Sequence, residues 1–394
     1  MRPLALSACA ALLAACVGDK PPPDPAARSE EVRTYLSALA PILVSRTLSA
    51  DEIALIEQKV ADEGQIAVAR QVLSGWLGEP ALADAARELI QTRLSVSGSG
   101  IDGVNYELPG NLAAWTVVNG APWSTLVTAD FCVGDDLSMI ECDSGAPYTA
   151  GLLTTRAYLK ARASRFNLTR ASTLLNVFAC QRYPVPQEVE PSIAKERLRA
   201  MFQANTPEEQ EDPAAADAFG NGFGCYNCHS QFAWHAQLFV QFDQDGLFRP
   251  DATGLQDPEG ELGRSVGGLF ASHLADPAEA ASPASQMLGV PVADLGEAGR
   301  VLGESQVMTE CMARNILEYG AGLEPGAKIA AELISEIAAE LSPGQATFAD
   351  LVLAVFGNQR VYQTLVEGIR HPAPPADEAA PAPGDGEQGS EEQS

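Results

Sequence analysis

The chain has 394 residues, of which 46% are hydrophobic and 20% charged, and its formal net charge is −27. This composition is ordinary for a folded protein with a sizeable core, and the length allows two or three domains. So acidic a surface repels nucleic acid, and we therefore expect no nucleic-acid partner.

The N-terminus has the pattern of a secretory signal peptide. Arg2 precedes the apolar run 3–15, which is too short to span a bilayer as a mature helix. The run ends in Leu13-Ala14-Ala15-Cys16, which resembles the lipobox of bacterial lipoproteins; the alternative is an ordinary signal peptide with a chance cysteine. The lipobox implies lipidation of Cys16, and Val17 after it favours the outer membrane. We therefore expect a signal peptide at 1–15 and a lipidated tether at 16–28, which anchors the chain to the membrane on the periplasmic side.

Apolar periodicity beyond the tether predicts a mainly α fold. We expect a helical domain at 29–189 with a small irregular or β insertion near 95–150, then a cytochrome c-like helical haem domain at 190–370. Pro41 should kink or end the first helix, and Ser49 and Glu52 have the spacing of a capping box. The predicted helical regions are 67–94 with a break near 78–80, 151–183, 193–202, 295–319, 329–341 and one final amphipathic helix over 348–367. The acidic tail 371–394 lacks Lys and Arg and is expected to be disordered.

The strongest motif is Cys225-Tyr226-Asn227-Cys228-His229, the attachment signature of a c-type haem. Cys225 and Cys228 would form the two thioether links, and His229 would be the proximal iron ligand. A zinc site would need two further ligands of similar spacing, and the sequence holds no second Cys-x-x-Cys or His-x-x-x-His. A redox dithiol of the thioredoxin type would require a βαβ context, which the sequence pattern does not show. The sequence therefore predicts one covalent haem c.

The remaining cysteines are expected to form disulfides. Cys9 is removed with the signal peptide, and Cys16 and the two motif cysteines already have roles. The four cysteines that remain are Cys132, Cys142, Cys180 and Cys311, an even number in an oxidising compartment. The first two flank a short loop and should pair, so the last two pair by elimination. The alternative for these last two is a pair of buried free thiols.

Several residues are candidates for the sixth iron ligand. Met287 is favoured because small cytochromes c place a loop methionine before their last helix. His273, Met308, Met312 or an open position are the alternatives, and any of the methionines could be core filler instead. His235, six residues after His229, is expected to be a surface or core histidine.

Two further groups of side chains invite a binding role. Arg165 and Arg170, together with Arg162, could pair with the haem propionates, or they could be surface charges paired with local acids. The sequence Asp243-Gln244-Asp245-Gly246 begins like a calcium loop. It lacks the later acidic positions, so we predict no calcium.

From about residue 121 onward the chain resembles the planctomycete-type cytochrome family, exported bacterial proteins of unknown function. The likeness is carried in order by 122–130, 151–154, 170–180 with 183–186, the haem motif, 242–249, 311–314 and 319–322. The family usually has Asp-Pro-x-Gly after the haem histidine, where this chain has Ala233-Trp234-His235-Ala236. The resemblance implies haem attachment and no particular substrate.

These features favour a cell-envelope cytochrome that transfers electrons to or from a redox partner protein. A single haem motif and no second cofactor motif favour electron carriage over catalysis. A haem enzyme, such as a peroxidase or a dehydrogenase subunit with an open iron site, is the second hypothesis. An envelope scaffold with a structural haem is the third.

Overall fold

The computed structural model describes residues 24–98, 100, 102–163, 167–181, 235–239, 241–249 and 286–370. These residues are 61% helical and 5% strand, with thirteen helices among them. The mainly α fold class is therefore confirmed.

Four helices open the described chain, and local signals set their ends. They are α1 (Pro25–Leu43), α2 (Ala50–Glu63), α3 (Gln65–Trp76) and α4 (Ala81–Leu94). The predicted tether is four residues too long, because Asp24 caps α1 through the backbone N–H of Ala26. Pro41 falls in the last turn of α1, and the helix ends two residues later. The capping box at Ser49 and Glu52 is present, as predicted.

The region 95–150 contains a helix that its sequence did not reveal. This is α5 (Leu108–Val118), followed by the short α6 (Thr125–Thr128) and an antiparallel hairpin of β1 (Cys132–Val133) and β2 (Met139–Ile140). Most of the side chains of α5 are buried, and its apolar residues lie all around the helix. A helix that is apolar on every side lacks the 3.6-residue periodicity by which surface helices are recognised.

The second half of the described chain is again helical. It contains α7 (Arg156–Ala161), α8 (Leu168–Ala179), a hairpin of β3 (Gln286–Met287) and β4 (Val290–Pro291), then α9 (Leu295–Gly303), α10 (Gln306–Gly320), α11 (Ala331–Ala338), α12 (Phe348–Phe356) and α13 (Gln359–Arg370).

Two long predicted helices are each divided in two. Ser305 caps α10 through the N–H of Met308 and so separates it from α9. The prediction of a single helix over 348–367 is wrong. α12 ends at Phe356 with Gly357 as its C-cap, and the Asn358 side chain then accepts hydrogen bonds from the N–H groups of Arg360 and Val361. In each case a side-chain acceptor starts a new helix inside one apolar pattern.

Helices from both sides of residue 190 share one hydrophobic core. α10 packs on α8 and α12, α12 packs on α3, and α13 packs on α1. Tyr35 of α1 donates to the carbonyl of Phe356 at 2.7 Å, and its ring meets that of Tyr362 at a centroid distance of 4.9 Å. The described helices beyond residue 286 therefore complete the core of the N-terminal helices and have no separate core of their own. Among the described helices, none has the length and apolar character needed to cross a membrane.

Candidate functional site

Several predicted site residues lie outside the described residues. These are the lipidation site Cys16, the cluster residue Arg165, the haem-motif residues Cys225, Cys228 and His229, and the alternative ligand His273, together with the signal peptide 1–15 and the tail 371–394. The described residues nearest to the haem motif in sequence are Gln181 before it and His235 after it.

Both predicted disulfides are confirmed. Cys132 and Cys142 are bonded with a Cα–Cα distance of 5.0 Å and close the β1–β2 hairpin. Cys180 and Cys311 are bonded with a Cα–Cα distance of 5.2 Å and join the end of α8 to α10. The free-thiol alternative is therefore wrong.

Residues 235–239 and 241–249 pack against α7 and α8. Ala236 and Phe239 are fully buried, and the Phe239 ring lies 6.1 Å from that of Tyr158 on α7. Phe242 pairs edge-on with Phe248 at 5.6 Å. The residues that follow the haem motif therefore belong to the same core as the helices before it.

Arg170 holds residues 242–243 in place. Its side chain is 1% exposed. It donates to the carbonyl of Leu159 at 2.8 Å, to Oδ1 of Asn167 at 2.9 Å, and to the carbonyls of Phe242 at 2.7 Å and Asp243 at 2.5 Å. Burial lowers the pKa of Arg170 to about 10, so the guanidinium remains charged at neutral pH.

Those four bonds limit what else Arg170 can bind. A guanidinium has five N–H groups, so at most one is left for a haem propionate. The structure thus gives Arg170 a role that the sequence did not predict, which is to fasten residues 242–243 to α7 and α8. Its interpretation as surface charge is wrong, since the side chain is buried.

The turn that begins at Asp243 is a structural turn. The Asp243 carboxylate accepts from the N–H groups of Asp245 and Leu247, each at 2.9 Å, and from Nε of Arg249 at 2.8 Å. Gly246 has a φ of +75°, and a Cβ there would lie 2.9 Å from Cβ of Leu159. Only glycine allows so close an approach to α7. Protein donors thus occupy the carboxylate that a calcium loop would direct at the ion.

His235 is a core histidine, one of the two expected alternatives. Its side chain is nine-tenths buried, and its Nδ1 has no hydrogen-bond partner among the described residues. Burial lowers the pKa of His235 to about 4, so the ring is neutral at pH 7. A buried ring nitrogen without a partner is costly, and each such group requires an explanation.

The candidate methionine ligands are all buried. Met287 is fully buried on β3, at the start of a tight hairpin whose turn residues Leu288 and Gly289 have positive φ. Met308 and Met312 on α10 line a cavity of about 20 Å³, which is room for a single water. Their burial agrees with the core-filler alternative, and ligation by Met287 stays a prediction.

A buried ion network escaped the sequence analysis. Glu318 on α10 is fully buried and pairs with Arg93 on α4 at 2.7 Å and with Arg314 at 3.1 Å. The four-residue spacing of Arg314 and Glu318 was the only local signal, because the partner on α4 is 225 residues away. The network ties α4 to α10 and is structural.

Several described segments from distant parts of the chain contact one another. The N–H groups of Gly151 and Leu152 donate to the carbonyls of Ala129 and Leu126, each at 2.9 Å. The 170–180 segment contacts 242–243 through Arg170 and 311–314 through the Cys180–Cys311 bond.

Within the described ranges, no group of three or more His, Cys, Asp or Glu side chains is arranged to hold a metal ion. Comparison of the chain with protein-family models, curated proteins and solved structures finds no match.

Proposed function

We propose that this chain is a cell-envelope lipoprotein cytochrome, of the planctomycete type, that carries one covalent c-type haem and transfers electrons to a partner protein. The observation that carries the proposal is the motif Cys225-Tyr226-Asn227-Cys228-His229. Two thiols three residues apart beside a histidine are the pattern to which haem c is attached.

The cysteine pairing supports export and leaves the motif thiols available. Both disulfides are of the kind that persists in an oxidising compartment. Together they use four of the cysteines of the mature chain, so that Cys225 and Cys228 are not needed for either bond. Cys16 is the remaining one, in agreement with its proposed lipidation.

His235 is the first described residue after the motif, six positions beyond His229. Its Nδ1 is buried and has no hydrogen-bond partner among the described residues. A bound haem would supply one-electron redox chemistry, with Cys225 and Cys228 as its attachment points and His229 on its iron. Arg170 and the Cys180–Cys311 bond hold the chain on either side of the motif.

Optical and paramagnetic-resonance spectra of the purified holoprotein in both redox states test the proposal. We expect a haem that acidified organic solvent does not extract, and that the Cys225→Ala/Cys228→Ala variant lacks. The matched control, Cys132→Ala/Cys142→Ala, also removes two cysteines and should keep the haem. Extraction of the pigment from the wild type, or its absence in cells with a working haem-ligation system, would refute the proposal.

The same spectra decide the axial ligand and the choice between carrier and enzyme. Met287→Leu nearly preserves volume and should cost less than ~1.5 kcal/mol in stability, so a lost methionine–iron band would be a ligation effect. Rapid carbon monoxide binding by the reduced wild type would indicate an open site and favour the enzyme hypothesis.

The anchor is tested separately with Cys16→Ser. The wild type should partition with membranes, and this variant should be released with the soluble envelope fraction. Membrane retention of the variant would contradict the lipid anchor without touching the haem proposal.

A further inference from the structure

A small cavity lies where residues 123–124 meet α10 and the loop 344–346. Its volume is about 20 Å³, and its wall includes Trp123, Ser124, Met308, Thr309 and Met312. A site of this size admits one molecule the size of water. Purely apolar cavities stay dry, whereas a cavity that offers two to four polar partners holds an ordered water. The polar atoms of the wall therefore decide what the cavity contains.

Trp123 brings a buried donor without a protein acceptor to this cavity. Its side chain is 2% exposed, and its Nε1 has no hydrogen-bond partner among the described residues. The indole is held in place, because the backbone N–H of Trp123 donates to the carbonyl of Ala346 at 2.8 Å and the ring lies 4.7 Å from that of Phe348. A buried indole N–H normally has an acceptor. The missing acceptor and the cavity are two independent observations at the same side chain.

Two hydroxyl groups on the same wall can still accept hydrogen bonds. Oγ of Ser124 donates to the carbonyl of Gly344 at 2.8 Å, and Oγ1 of Thr309 donates to the carbonyl of Ser305 at 3.3 Å. A hydroxyl has one proton to donate and two lone pairs with which to accept, so both oxygens keep acceptor capacity. The wall thus offers one donor and two acceptors, which complement a water that accepts one hydrogen bond and donates two.

We infer that this cavity is the binding site of one structural water. The water accepts a hydrogen bond from Nε1–H of Trp123 and donates to Oγ1 of Thr309 and Oγ of Ser124. Three hydrogen bonds is the usual number for a buried water, and such a water joins two polar groups almost as well as a direct bond does. The water therefore links the residues before α6 to the first turn of α10. This inference is independent of the proposed haem function.

The experiment detects contacts between water and indole N–H protons by nuclear magnetic resonance of the full chain labelled with ¹⁵N. The variant Trp123→Phe identifies the Trp123 signal. We expect a cross-peak between water and Nε1–H of Trp123, with the sign of a dipolar contact and not of proton exchange. Trp76 is the internal reference: it is equally buried, but its Nε1 donates to Glu52 at 2.6 Å and should show no such cross-peak.

Thr309→Val tests the partner on α10, since it replaces the hydroxyl with a methyl group of similar shape. The matched control is Thr116→Val, because the Thr116 hydroxyl is also buried in a helix and donates to the carbonyl of Ala113 at 2.7 Å. We expect the Trp123 cross-peak to weaken about twofold or more in Thr309→Val, where the water loses one of its ~3 partners. It should be unchanged in Thr116→Val and in Thr309→Ser, which keeps the hydroxyl.

Three results would overturn the inference. A wild type without the Trp123 cross-peak would have a dry cavity. A cross-peak of full strength in Thr309→Val would place the water away from α10. Equal losses in Thr309→Val and Thr116→Val would show a general disturbance of the helices and no specific site. None of these results bears on the haem, which the optical and paramagnetic-resonance spectra test separately.

Discussion

Replacing Arg170 with methionine tests whether this side chain fastens residues 242–243 to α7 and α8. Methionine fills a similar volume and leaves the carbonyls of Leu159, Phe242 and Asp243 without their donor. Each hydrogen bond from a charged donor is worth about 1.5–3 kcal/mol, and the cost of burying the charge offsets much of this. We expect a net loss of ~3–5 kcal/mol, because an unsatisfied buried acceptor costs about 1–3 kcal/mol and three carbonyls lose their donor.

The assay is urea unfolding followed by circular dichroism, with hydrogen exchange measured over residues 241–249. Arg170→Lys should also be destabilised, because an ammonium group cannot reproduce the planar fork that reaches four acceptors. Arg300→Met is the control: its side chain is 55% exposed, and its two ion pairs are at 3.5 Å and 3.8 Å, so the change should be under ~0.5 kcal/mol. A loss below ~1 kcal/mol for Arg170→Met, with unchanged exchange at 241–249, would refute the fastening role.

Three further outcomes follow from the described contacts. Serine at Cys180 and Cys311 should cost ~5 kcal/mol by urea unfolding, about 2 more than removal of the hairpin bond, because the bond spans 131 residues. Gly299→Ala should destabilise the protein by more than ~2 kcal/mol, because the added Cβ would lie 2.1 Å from a backbone oxygen. Its control, Gly75→Ala, has open space around it and should stabilise α3 by ~0.5–1 kcal/mol. Equal shifts of the melting temperature in the two variants would contradict this. Burial in the folded protein lowers the pKa of His235 from 6.5 to about 4, so between these values the unfolded chain binds a proton that the folded chain does not. The free energy of unfolding of the wild type should therefore drop by ~3 kcal/mol between pH 6.5 and 4, and that of His235→Leu should lack this drop.

Local signals in the sequence were sufficient wherever a short stretch of chain determines the structure. The capping box at Ser49 and the break near residues 78–80 depend on neighbours a few positions apart, and both predictions were confirmed. The disulfides followed from counting cysteines rather than from geometry. The pairing of Cys180 with Cys311 was predicted only because Cys132 and Cys142 had each other.

The errors share a physical cause, which is burial set by distant parts of the chain. Most side chains of α5 (Leu108–Val118) are buried, and its apolar residues lie all around the helix, so no polar face marks its period. For Arg170 the sequence left a propionate partner or a surface charge as alternatives, and it did not indicate that the side chain is buried on three backbone carbonyls, which leave no trace in the sequence. Glu318 has a buried partner on α4 that no local pattern could indicate.

The shared core leads to a testable difference between two of the functional hypotheses. If haem were mainly structural, its loss should unfold the protein. The described helices pack around one continuous core that includes Phe239, Phe242 and Met287, and two disulfides and Arg170 hold it together. Each of these contacts is made between described residues of the protein itself.

We therefore expect Cys225→Ala/Cys228→Ala to lack haem and yet remain folded. Its helical circular dichroism should stay close to that of the wild type, both disulfides should form, and its midpoint in urea should fall by much less than that of Arg170→Met. Thiol counting on the denatured, unreduced protein verifies the disulfides. A haem-free variant that is unfolded would favour the scaffold hypothesis, because the porphyrin would then supply core contacts that the helices cannot make for themselves.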